Sequence, residues 1–113
     1  MLFTTPNAGG LEVVASDYNS RRLLAHSIFP PMHLNAFSTT NIVHFAMRSG
    51  FKVRSISTPG KLDVDMVCQN SDDILDDEAL RALIQMDETE KAAVQHIIAN
   101  LMASSHMKCV FAK

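Results

Sequence analysis

The stretch Leu2-Phe3-Thr4-Thr5-Pro6-Asn7-Ala8-Gly9-Gly10 runs from apolar and β-branched residues straight into a cluster of turn formers. It reads as a strand over 2–5 that delivers the chain into a loop. Two further runs read the same way. Phe51 to Ser57 alternates over its first four residues and stops at Thr58-Pro59-Gly60. His106 to Ala112 places Met107, Cys109 and Phe111 on one face and Val110 and Ala112 on the other, the pattern of a strand with both faces largely covered.

The segments between the strands carry helical signals. Leu11 to Leu24 fits short helical pieces broken around Asn19-Ser20. Pro30 and Pro31 exclude a continuing helix, so Phe29 to Phe37 reads as an ordered loop. Ser38 as N-cap, the spacing of Ile42, Phe45 and Ala46, and Gly50 at the left-handed position after the end predict a capping helix over 39–49. Lys61 to Gln69 alternates Leu62, Val64 and Met66 against Lys61, Asp63 and Asp65, which fits a short extended piece. Ser71 to Met86 reads as a helix with a cap and an acidic opening, its apolar face made of Leu75, Ala79, Leu80 and Leu83. A second helix starts at Asp87, whose capping box closes on Glu90, and carries the stripe Val94, Ile97, Ile98 and Leu101. These two helices are expected to form a helical hairpin.

Composition bounds the whole. The 113 residues are 47% hydrophobic and 19% charged, with four glycines and four prolines, which predicts a single globular domain over residues 1–113. A formal net charge of −2 offers no field to attract a nucleic-acid backbone or an anionic membrane, so neither is expected as a partner. No apolar stretch approaches the roughly 18 residues of a membrane span and no leader pattern opens the chain, so a cytoplasmic location is expected. Cys68 and Cys109 are far apart, with no CxxC and no clustered histidines, and read as reduced thiols. The acidic run Asp72, Asp73, Asp76, Asp77 and Glu78 lacks the glycine and ligand alternation of a calcium loop and reads as a solvated helix start. No metal is expected.

The order strand, loop, helix, strand, inserted helices, strand resembles the final third of a class I S-adenosylmethionine-dependent methyltransferase, a Rossmann-like α/β fold. Leu2 to Asn7 resembles that family's fifth strand and following turn. Pro30 to Ser38, reading PPMHLNAFS, and Arg48 to Phe51, reading RSGF, resemble blocks of its small-molecule members. Gly60 to Val67 and Ser104 to Lys113 look like a subgroup associated with bacterial surface-sugar biosynthesis. The resemblance implies about three strands, in the order 2–5 beside 106–112 beside 51–57. It also implies that the N-terminal cofactor-binding half lies outside this chain. The spacing GxGxxG occurs nowhere, and the adjacent glycines Gly9 and Gly10 follow the strand that matches the fifth. S-adenosylmethionine is thus the cofactor of the intact family, and none is expected for this chain alone.

In such transfer the protein positions two reactants and removes a proton where needed. Asn7, at the carboxyl end of a strand, and His33 and Asn35, in the loop before the capping helix, are the candidate substrate-binding residues. His33 is also the candidate catalytic base, or a group orienting a sugar hydroxyl. The structural counterparts are that His33 caps backbone in a proline-shaped loop and that Asn7 bonds its own turn. A small-molecule substrate in the intact enzyme and a homodimer, through the uncharged edge of the first strand or by exchange of an element between chains, are the expected partners. The alternative reading is a non-catalytic interaction or assembly module.

Overall fold

The computed structural model describes residues 1–113. Its elements are β1 Leu2–Pro6, α1 Leu11–Ala15, α2 Leu23–His26, α3 Asn41–Arg48, β2 Lys52–Ser57, α4 Asp63–Gln69, a 3-10 turn Ser71–Asp73, α5 Glu78–Gln85, α6 Glu88–Asn100 and β3 His106–Ala112. The sheet has the order β1-β3-β2. Leu2 stands opposite Val110 and Thr5 opposite Met107, while on the other side Val53 stands opposite Phe111 and Ile56 opposite Cys109. Both outer strands run antiparallel to β3, so they run parallel to each other and end on the same side. That order is the one anticipated from the sequence.

The sheet buries one face only. Met107, Cys109 and Phe111 pack with Ile42 and Ala46 of α3, joined by Phe3, Phe37, Phe51, Val53 and Ile56. Phe3 meets Phe111 edge to face, with ring centroids 5.2 Å apart. The opposite face shows exposed His106 and Lys108 beside Thr4, Ser55 and Ser57. The expectation that β3 is covered on both faces is therefore corrected. Its polar alternation marks an antiparallel sheet with one wet side. The capping helix is two residues shorter at its start than expected. Ser38 still serves it, because its hydroxyl accepts from the Asn41 N–H at 3.2 Å while the Asn41 side chain accepts from the Ser38 N–H at 2.7 Å. Gly50 follows its end at φ 76°.

A second core lies among the helices, where Ala15, Leu24, Val64, Val67 and Leu83 are buried. Two expectations fail here. Residues 63–69 are helical rather than extended, because Asp63, Val64 and Val67 fall on one helical face and are all buried. Residues 71–86 are not one helix. The N-cap is Asp77, whose carboxylate accepts from Ala79 N–H at 2.9 Å and Leu80 N–H at 3.2 Å. Asp73 instead accepts from the Leu24 N–H at 2.9 Å, and Leu75 N–H donates to Ala15 carbonyl at 2.7 Å, so these residues tie the segment to α1 and α2. The capping box of Asp87 and Glu90 is present. The expected hairpin pair, α5 and α6, meets chiefly through α4. In the α6 stripe Val94 and Ile98 join the helical core, while Ile97 and Leu101 are exposed. No helix is long and apolar enough to cross a membrane.

Candidate functional site

A polar seam joins the two cores, and the cleft lies along it. Asn7 follows β1 and is 1% exposed. Its amide donates to the carbonyls of Met102 at 3.1 Å and Ser104 at 2.8 Å, and its oxygen accepts from the Gly9 N–H at 3.0 Å. Both donors are spent on backbone, so Asn7 fixes the loop before β3. Asp63, at the first turn of α4 and 3% exposed, answers from the other side. Its carboxylate accepts from the Ser105 N–H, from the Ser104 hydroxyl at 2.7 Å and from the Gln95 amide at 2.7 Å. Ser104 and Ser105 are thereby held between two loops. A Cβ on Gly10 would lie 2.5 Å from the Ser105 Cα, and one on Gly60 would strike Ser104 and Asp63, so only glycine fits at either position.

Beside this seam a cleft of about 360 Å³ opens at the carboxyl end of β1. Thr4, Thr5 and Pro6 form its floor, Glu12 enters from α1, Ser27 and His33 from the loop after α2, and Ser105 and His106 from the start of β3. A hollow of about 250 Å³ adjoins it, walled by Pro59 to Asp63 and sharing Glu12, Ser105 and His106. Together they lie at the end of the sheet where β1 and β2 both finish. A larger hollow of about 430 Å³ between α4 and α6 is lined by Lys91, Glu88 and neighbours. There the lysine already pairs with the glutamate at 3.1 Å.

Two carboxyls at the cleft are driven apart in acidity. Burial, and then the charge of Asp63, push the Glu12 carboxyl up from 4.5 to about 7, against a lowering contribution from Ser105. Burial also pushes Asp63 upward, but the donors from Ser105, Gln95 and Ser104 outweigh it and hold its carboxyl below the ordinary value. The Ser105 hydroxyl closes no hydrogen bond of ordinary length, although it is buried beside both carboxyls. His33 contacts the Ser27 carbonyl through Nδ1. A carbonyl only accepts, so Nδ1 carries the hydrogen of that bond. His33 thus combines the loop-fixing contact with a place in the cleft. Asn35 is exposed and lines none of these cavities.

Sequence reading missed Glu12, Asp63, Ser105 and His106. The signal for Glu12 was its place in the first turn of the helix straight after Gly9-Gly10. Nothing local marks the other three, which meet it only through the sheet order. No three side chains among the histidines, cysteines and acids are near enough to share a metal ion. Both cysteines are free, and burial raises their thiols. Compared with known proteins, the chain matches no family model, no curated protein and no solved structure.

Proposed function

We propose that these 113 residues are the substrate-side C-terminal portion of a class I S-adenosylmethionine-dependent methyltransferase acting on a small molecule, with the cofactor held by residues outside this chain. The sheet order carries the reading: β3 lies between two strands that are parallel to each other, the order that the sequence resemblance implies. The position of His33 and Glu12 at the carboxyl ends of those strands supports it. The residues present do not fit the cofactor itself. Gly10 is packed against Ser105 rather than open to a ligand, and no second glycine-rich turn exists. In this reading the chain binds and orients the acceptor, and His33 and the Glu12 carboxyl hold the proton that leaves it. By itself the chain transfers no methyl group.

Calorimetric titration of the 113-residue chain with S-adenosylmethionine tests this. Binding weaker than about 1 mM is expected, and a low-micromolar dissociation constant, near −8 kcal/mol, would show a complete cofactor site and overturn the reading. The coding stretch upstream gives the second arm. An in-frame segment with an acidic residue and a glycine-rich turn is expected, and the joined protein should transfer methyl groups from S-adenosylmethionine. A stop or an unrelated gene there would favour the assembly module, which the uncharged edge of β1 also suits.

A further inference from the structure

Ser105 is 8% exposed, its hydroxyl stands against the Glu12 and Asp63 carboxyls without closing a hydrogen bond of good geometry, and it lines both halves of the cleft. A buried hydroxyl left unpaired costs stability unless something completes it. Glu12 also lines both halves, and Asp63 stands close enough to repel its charge. The oxygens of Asp63 already accept from Ser104, Ser105 and Gln95, which leaves Glu12 as the carboxylate free to take a ligand. No lysine or arginine is among the groups that set the ionisation of Glu12. The main chamber is lined by Thr4, Thr5, Ser27 and two histidines, with no aromatic or aliphatic wall beyond Pro6.

We infer that this cleft binds a small polyhydroxylated molecule bearing a primary ammonium group, seated on Glu12 and the Ser105 hydroxyl beside Asp63. An ammonium has three donors and no acceptor, the complement of the Glu12 carboxylate and of a hydroxyl oxygen whose lone pairs are open to accept. The ligand's hydroxyls then meet the threonines and serines of the chamber. An anionic ligand would face two carboxylates, and a divalent ion would find too few ligands within reach. The groups facing Glu12 are Asp63 from α4, His106 from β3, His33 from the loop after α2 and Lys61 across the smaller hollow. As the chemistry of a methyl acceptor, this inference rests on the reading of the cleft as the acceptor site.

The test is a titration of the 113-residue chain, followed by amide NMR, with glucamine and with its neutral analogue sorbitol, without S-adenosylmethionine. Near pH 8 glucamine should shift the amides of Glu12, Ser105 and His106 at concentrations about ten-fold below any effect of sorbitol. Its affinity should fall several-fold toward pH 6, as Glu12 gains a proton. Because the imidazoles of His33 and His106 face the same cleft, the Glu12→Gln variant assigns the effect. It should keep the amide dispersion of a folded chain and lose the preference for glucamine. Equal response to both probes, a preference that survives Glu12→Gln, or shifts confined to other residues would overturn the inference. If that happens while the joined protein transfers methyl groups, only the ligand class is wrong. If glucamine binds as described and no methyl transfer exists, only the methyltransferase reading falls.

Discussion

At the scale of single residues, the Glu12 and Asp63 carboxyls have opposite linkage to pH. Glu12 has a folded pKa of about 7 against 4.5, so the folded state binds more protons between those values. Its stabilising contribution is complete below about pH 4.5 and is lost as pH rises through 7. With a discount for its partial exposure, the loss is on the order of 2 kcal/mol. Glu12→Gln should therefore raise the melting temperature at pH 8, by several degrees for a domain of this size, and change it little near pH 5. Thermal unfolding at the two pH values checks this, and equal shifts at both would remove the electrostatic account. Asp63 runs the other way. Its folded pKa is depressed, so its contribution is present above the unfolded value of 3.8 and is lost as pH falls through the lower folded value. Asp63→Ala removes the acceptor from the buried Ser104 and Ser105 donors and from the Gln95 amide, and should cost about 3 kcal/mol in denaturant titrations.

Elements were legible where one local signal dominated and illegible where tertiary partners chose between signals. β1, β2 and β3 fell within a residue of their expected bounds, because each is an apolar or alternating run closed by turn formers or by the chain end. The α6 start followed from its capping box, which is wholly local. The α4 segment was misread because Leu62, Val64 and Met66 fit period two, while Val64 and Val67 fit a helical face. Burial of that face against Ala15 and Leu24 decides for the helix. In 71–86 five acids competed for the cap, and their roles diverge in space: Asp73 binds Leu24, Asp76 pairs with Arg81 at 2.7 Å, and Asp77 caps. Of the cleft lining, His33 alone was named from the sequence, through its place in the loop before the capping helix. Glu12, Ser105 and Asp63 converge from three distant segments and no spacing reveals them. The cap assignment can be measured directly. Asp77→Ala should cost about 1 kcal/mol of stability and Ser71→Ala less than about 0.5, and the reverse ranking would restore the longer helix.

Across the whole molecule, the two cores make a thin body. Its principal extents are 46 × 30 × 17 Å and its radius of gyration is 14.7 Å, above the roughly 13 Å of a compact domain of about this length. Only 20 residues are buried, and Phe45, Met47, Ile97 and Leu101 stay exposed. The two sheet edges are unlike. β2 carries Lys52, Arg54 and a bulge between Val53 and Ser55, the features that block pairing. β1 carries no charge. The ladder fixes what β1 presents outward. The Phe111 N–H donates to the Met1 carbonyl, the Met1 nitrogen donates to the Phe111 carbonyl, and the Asn7 N–H donates to the Ser105 carbonyl. Odd-numbered residues of β1 therefore bond to β3, and even-numbered residues face out. Pro6 has no N–H, so the free edge presents the N–H groups of Leu2 and Thr4, with Leu2 63% exposed beside them. A second copy aligned antiparallel would satisfy both edges at once and close a two-fold dimer. Light scattering should show the mass rising from 12.5 kDa toward twice that value as the chain is concentrated to about 100 μM. Thr4→Pro removes one outward donor and no bond to β3, so it should stay monomeric at that concentration with its circular dichroism unchanged. A chain that is monomeric throughout, or a Thr4→Pro variant that associates as the parent does, would show that the β1 edge is not the contact.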